Sequence, residues 1–170
     1  MQSESARMSS AQQAKFRIDR PNSQPRAVKV IALDAPSERV VKELAQSQWQ
    51  RASFLTATAF SGAPPKGEPF SMNGWLNDLA GRTKDLVDEV NSADLVVMVA
   101  TAGENAAAAA IIGEACSLKH VMTTALILGG ATSSDETLSK MLAQLRPHAM
   151  MLVISSADEY IKDMLTALRA

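Results

Sequence analysis

Three near-continuous apolar runs constrain this chain more than any other feature: Leu95-Val96-Val97-Met98-Val99, Ala125-Leu126-Ile127-Leu128 and Met150-Met151-Leu152-Val153-Ile154. A strand with one solvated face alternates apolar and polar residues. A run without that alternation is expected where helices cover both faces of a parallel sheet. Two further runs look like strands, Val28, Val30, Ile31 and Leu33, then Phe54 to Phe60. Between the runs, apolar residues recur at helical spacing: Val40, Val41 and Leu44; Leu138, Met141, Leu142 and Leu145; Ile161, Met164, Leu165 and Leu168. Strand alternating with helix is the signature of right-handed βαβ units. The pattern predicts an α/β chain, a three-layer α/β/α sandwich with a mostly parallel five-stranded sheet of order 2-1-3-4-5.

Local signals place the boundaries. Ser133 with Glu136, and Ser156 with Glu159, have the spacing of capping boxes and predict two helix starts. Residues Met1 to Pro25 are rich in Ser, Gln and Arg and end in Pro21-Asn22-Ser23-Gln24-Pro25. They are expected to form a flexible tail, with Phe16 and Ile18 as exceptions able to dock on the domain or on a partner, followed by one domain over 26–170. Ser61 to Met72 carries Pro64-Pro65 and Gly67 and is expected to be irregular. After it, Trp75, Leu76 and Leu79, then Leu86, Val87 and Val90, are expected to be helical, with an interruption near Gly81.

Composition excludes several classes. With 170 residues, 46% of them hydrophobic, the chain can bury a proper core. A formal net charge of -1 offers no basic face for nucleic acid. The longest apolar stretch, Ala106 to Ile112, is alanine-dominated and too short to span a bilayer. No apolar segment near the N-terminus has the form of a secretory signal. The single cysteine, Cys116, excludes an internal disulfide and fits a reducing, cytoplasmic compartment.

In an open parallel sheet, ligands bind beyond the carboxyl ends of the strands, at the switch in strand order. That rule selects Asp34, Pro36 and Ser37 after the first strand, and Ser61 and Gly62 after the second. It selects Thr101, Gly103, Glu104 and Asn105 after the third, Gly129, Gly130, Thr132 and Ser133 after the fourth, and Ser155 and Ser156 after the fifth. The candidate ligand-binding set is Asp34, Ser37, Thr101, Gly103, Glu104, Asn105, Gly130 and Ser155, with the 61–72 loop as a lid. Chain reversal and helix capping demand the same residue types in any α/β domain, so each also has a purely structural explanation.

The remaining chemistry is sparse. His120 and His148 both precede strands, which places them at the amino edge, away from such a crevice. Cys116 lies one turn after Ile112, the position of a packed thiol rather than a nucleophile. No metal-ligand spacing occurs, and no cofactor is implied. A G-x-x-x-x-G-K-[ST] loop and a G-x-S-x-G elbow are both missing. Leu33-Asp34-Ala35-Pro36-Ser37 lacks the glycines of a dinucleotide turn. A phosphoreceiver reading fails as well, because Thr101 rather than an aspartate ends the third strand and no lysine directly follows the fifth.

From Ala93 to about Ile161 the chain resembles the core of the tubulin/FtsZ superfamily. Ala93-Asp94-Leu95-Val96-Val97-Met98-Val99-Ala100-Thr101-Ala102-Gly103 looks like the strand entering that family's glycine-rich loop, and Ile111-Ile112-Gly113-Glu114-Ala115 like the helix after it. Thr123 to Leu128, Leu138-Ser139-Lys140 and Met151 to Ile154 are similar to the elements that follow, and Val28-Lys29-Val30-Ile31 fits the first strand. The resemblance implies a Rossmann-like nucleotide-binding fold. The phosphate loop departs from it. The family's run of glycines and threonines is here Gly103-Glu104-Asn105 followed by Ala106 to Ala110. Alanine's Cβ resists the backbone conformations open to glycine. A carboxylate about 4 Å from a phosphate costs several kcal/mol unless screened. The residues that would carry GTP therefore do not transfer.

Two functional expectations follow. One is a non-catalytic binding or assembly protein on a degenerate nucleotide-binding fold, with a second copy or another protein as partner and no nucleic acid or membrane. Trp49, Phe70 or Trp75 could then contribute to a self-association surface. The alternative is an enzyme or sensor binding a small molecule or nucleotide through Asp34, Glu104 and Asn105. A crevice walled off by its own side chains favours the first, and an open polar one favours the second.

Overall fold

A computed structural model describes residues 24–58, 75–155 and 158–170. The N-terminal tail, the 61–72 loop, Phe70, and the capping box predicted at Ser156 lie outside these residues. In chain order the elements are β1 (Val28–Ala32), α1 (Ala35–Ala45), β2 (Ala52–Thr56), β3 (Trp75–Asp78), β4 (Thr83–Asp85), α2 (Leu86–Asn91), β5 (Leu95–Thr101), α3 (Ala108–Lys119), β6 (Met122–Leu128), α4 (Asp135–Leu145), β7 (Met151–Ser155) and α5 (Asp158–Ala167). A short 3-10 turn, Arg146–His148, leads from α4 to β7.

Among the described residues the sheet has seven strands in the order β4-β3-β2-β1-β5-β6-β7. The five apolar runs supply the parallel strands, which lie as β2-β1-β5-β6-β7. The expected five-stranded sheet is therefore too small by an antiparallel hairpin, β3-β4, paired onto β2. That hairpin occupies the first part of the segment expected to be helical, Trp75 to Leu79, while the second part, with Leu86, Val87 and Val90, is the expected helix, α2. The hairpin's turn explains the difference. The Asp78 carboxylate accepts hydrogen bonds from the backbone N–H groups of Ala80 and Arg82 at 3.0 and 2.8 Å, and Gly81 adopts φ 80°. A glycine readily takes that left-handed conformation, and the chain reverses there instead of continuing a helix. The Arg82 backbone and guanidinium hold the Asp78 carboxyl below its usual range.

Strand alternation sorts the core into two layers. Val96, Met98 and Ala100 of β5, with Ile31, Ala125 and Ile127, pack against Leu86 and Val90 of α2, Ile112 and Cys116 of α3, and Met141 and Leu145 of α4. Leu95, Val97 and Val99, with Val28, Val30, Leu126 and Leu128, pack against Val41 and Leu44 of α1 and Ile161, Met164 and Leu165 of α5. Both faces of the central strands are thus dry, which is why their sequences show no polar alternation. Lys29 is the exception on β1. Its Nζ lies 2.7 Å from Glu89 of α2 and 3.4 Å from Ser53 Oγ of β2, so the half-buried ammonium is paired.

The helix starts differ in detail from expectation. α4 is capped by Ser134, whose Oγ accepts from Thr137 N–H at 3.3 Å. The predicted cap, Ser133, instead donates its hydroxyl to the Gly129 carbonyl at 2.9 Å, inside the turn that precedes the helix. The best-formed cap is one the spacing rule passed over. In α1, Asp34 accepts from Ser37 N–H, and Ser37 Oγ accepts from Asp34 N–H, with Pro36 in the first turn.

Candidate functional site

The switch in strand order falls between β1 and β5, and Asp34 fills it. One carboxylate oxygen accepts from Thr101 N–H at 2.7 Å. The other accepts from Thr101 Oγ1 at 2.9 Å and from Ser37 N–H at 2.8 Å. The Asp34 side chain therefore ties the end of β1, the start of α1 and the end of β5 together. Only 6% of Asp34 and none of Ser37 is exposed. Asp34 reaches that place because Leu33, between β1 and Asp34, donates its N–H to the Val99 carbonyl of β5, and Asp34 itself is the N-cap of α1.

The other candidates separate into three groups. Glu104 and Asn105 join Asp34 around a recess of about 240 Å³, with Thr58, Ala107 and Ala108 on its other walls. Asn105 Oδ1 accepts from Ala107 N–H at 2.8 Å, so its amide oxygen serves the start of α3. Gly103 and Glu104 border a second recess of about 310 Å³ with Thr137, Lys140 and Gln144. Gly103 adopts φ 91°, which turns the chain between β5 and α3. Gly130 and Ser155 line neither recess. Gly130 packs against Ile154 and Leu138, and Ser155 is buried at the end of β7. The eight residues are thus brought to one edge of the sheet but not to one cavity.

A polar network at the end of β2 was invisible to the spacing argument. Glu38 Oε2 accepts from Thr56 Oγ1 at 3.1 Å and Thr58 Oγ1 at 3.3 Å, and its other oxygen pairs with Lys42 at 2.6 Å. Lys42, with the two hydroxyls, holds the Glu38 carboxyl below its usual range against the opposing effect of burial. The signal available in the sequence was an acid one turn into α1 and a Thr-x-Thr after β2, and neither says that the two meet. The Ser61 and Gly62 candidates lie outside the described residues, as does Ser156.

The amino edge holds a different cleft of about 420 Å³, lined by Cys116, His120, Thr123, His148 and Met150 among others. His120 ends α3 in the left-handed region at φ 56°, and His148 sits in the 3-10 turn. Both histidines are helix-terminal, as their positions before strands implied. Among the described residues no group of three or more His, Cys, Asp or Glu is placed to hold a metal ion. No helix among them is long and apolar enough to cross a membrane. Trp49 is half-buried, its ring centroid 6.0 Å from that of Phe54 and its Nε1 donating to the Leu44 carbonyl.

Cys116 is fully buried in the core, and burial pushes its thiol up to about 12. The thiolate is the reactive form. Alkylation of Cys116 in the native protein is therefore expected to run about a thousand-fold slower than in the urea-unfolded chain. Native-state labelling with iodoacetamide at neutral pH, read by mass spectrometry, checks this; comparable rates in the two states would show that the thiol is accessible.

No protein-family model and no curated protein matches the sequence. Among solved structures, the fold is similar to translation elongation factor SelB from Methanococcus maripaludis in complex with the GTP analogue GppNHp. The TM-score is 0.49 at 7% identity, over 88% of this chain and 34% of that one. The chain spans about a third of that structure's length, and a likeness at this level carries no argument about chemistry.

Proposed function

We propose that the chain is a non-catalytic binding or assembly protein on a degenerate nucleotide-binding fold of tubulin/FtsZ type, acting in the cytoplasm. One observation carries this reading: the Asp34 carboxylate spends its acceptors on Thr101 and Ser37 across the switch point, where a ligand of such a fold would enter. The recess left beside it, about 240 Å³, is smaller than the roughly 300–1,000 Å³ typical of small-molecule sites. The loop from β5 to α3 supports the same reading. Asn105 occupies the Ala107 N–H, and Glu104 adds an exposed negative charge where the family's phosphates would lie. No nucleic acid, membrane or cofactor is part of this reading.

The second reading, an enzyme or sensor for a small molecule or nucleotide, is favoured by one feature. Glu104 stands between two recesses at the carboxyl edge, and Lys140 borders one of them. A thermal-shift screen of the full chain against GTP, other nucleotides, flavins and common metabolites separates the two. A ligand at a hundred times its dissociation constant adds about 2.7 kcal/mol of stability, a rise of roughly 5–10 °C for a chain of this size. The binding or assembly reading expects a flat screen. A GTP shift would restore nucleotide binding despite the altered loop, and a metabolite shift abolished by Glu104→Ala would establish the second reading.

A further inference from the structure

We propose that the outer edge of β7 is a self-association edge, on which a second copy of this chain pairs its own β7 antiparallel and extends the sheet across a twofold axis. The inference names the partner for the assembly role above and rests on that reading.

The two edges of the sheet are unlike. β4 is three residues long and carries Lys84 and Asp85, the short, charged form that discourages edge pairing. β7 is Met151-Leu152-Val153-Ile154-Ser155, with no charge and no proline. Met151 is 42% exposed, Ile154 45%, and Met150 just before the strand 77%. Of the six exposed large apolar residues among those described, four (Met122, Met150, Met151 and Ile154) lie on β6, β7 or the residue entering β7. An uncharged, apolar outer strand is a pairing template, and no charge, proline or covering element among the described residues blunts this one.

The register follows from the inner side. Met150 N–H donates inward to the Thr123 carbonyl at 3.1 Å. Met150 lies before the strand. On β6, the Leu128 carbonyl accepts from Ala102 N–H just past the end of β5, so by alternation Thr123, Ala125 and Ile127 turn toward β7. With Thr124 beside Met151, they bond Met151, Val153 and Ser155, which leaves Leu152 and Ile154 directing their N–H and C=O outward. An antiparallel pair centred on Val153 lets Leu152 of each copy exchange both hydrogen bonds with Ile154 of the other and sets Met151 across from Ser155 of the second copy. The strand is then self-complementary in both backbone and side-chain character, as an isologous contact requires.

Charge selects the same arrangement. Leu138 of α4 and Ile154 of β7 both lie against Gly130, so α4 flanks this edge. Its exposed first turn carries Asp135 and Glu136, and the turn after its last residue carries exposed Arg146. A twofold axis normal to the sheet keeps both α4 helices on one face and reverses them. The acidic start of each then approaches the basic end of the other. A parallel arrangement would bring like charges together.

Sedimentation equilibrium of the full chain over a concentration series tests this. The expected species has twice the monomer mass of 18.1 kDa. Ile154→Pro removes an outward N–H at an edge position that accepts proline, and Met151→Lys places a charge on the edge. Each is expected to weaken dimerisation about ten-fold or more, with unchanged far-UV circular dichroism. Arg146→Glu is expected to weaken it as well, and Arg146→Glu with Glu136→Arg to restore it, two changes that leave the core untouched. A monomer at every concentration overturns the proposal. A dimer indifferent to all of these variants also overturns it, while leaving an assembly role through another surface. A dimer that responds as expected, in a protein stabilised by a metabolite, would instead unseat the non-catalytic reading and keep the β7 edge.

Discussion

Asp34→Ala is expected to lower the stability of the protein by about 3 kcal/mol or more, the largest effect of any polar substitution at the carboxyl edge. Removing the carboxylate leaves the Thr101 and Ser37 backbone N–H groups without their acceptor in a buried place, and also removes the N-cap of α1. A lost cap alone costs roughly 1 kcal/mol. Each buried donor stranded by loss of a charged partner adds about 1–3 kcal/mol. Asp34→Asn keeps one acceptor oxygen and is expected to lose about half as much. Exposed Glu104, changed to alanine, should stay within about 0.5 kcal/mol of the parent. Urea unfolding midpoints at constant slope measure all three. If Asp34→Ala cost less than about 1 kcal/mol, the carboxylate would not be the tie that closes the crevice. The case for a blocked switch point would then fall with it.

The second large effect concerns the alanine run that replaces the glycine-rich loop. Ala109→Leu is expected to destabilise by about 2–3 kcal/mol, because Ala109 is 1% exposed and packs among Ile112, Met98 and Ala100 with no room for three further carbons. Ala107 sits on the exposed side of the same turn, so Ala107→Leu should change stability by no more than about 0.5 kcal/mol. The contrast separates two explanations of the run. Small residues that let α3 lie close to the sheet tolerate enlargement only on the outer side. Small residues kept for a ligand's approach would tolerate Ala109→Leu in the absence of ligand. Thermal or urea melts of the two variants, side by side, decide between them.

The two substitutions also mark where sequence reasoning succeeded and where it stopped. The five parallel strands were readable from their apolar runs, of which the central β5 and β6 are dry on both faces, and the order β2-β1-β5-β6-β7 of the parallel strands is that of the doubly wound pattern. The hairpin 75–85 was not readable as strand. Trp75, Leu76 and Leu79 fit a helical period, and nothing local says that Asp78 will instead accept the N–H groups of its own turn. The cap of α4 moved by one residue, from Ser133 to Ser134, because the Gly129 carbonyl took the Ser133 hydroxyl. At the crevice, Asp34, Ser37 and Thr101 were selected as ligand contacts by their place at strand ends. Their place was right, but their hydrogen bonds turn inward to one another.

What the sequence determined by itself was the layer architecture and the edge at which polar residues gather, since both follow from hydrophobic period and strand direction along one chain. Tertiary structure alone decided how those polar groups are spent. Thr101 lies 67 residues from Asp34, and Thr56 lies 18 from Glu38. A hydrogen bond between strand ends depends on register and side-chain direction after the sheet has formed, and no local pattern in either segment records it.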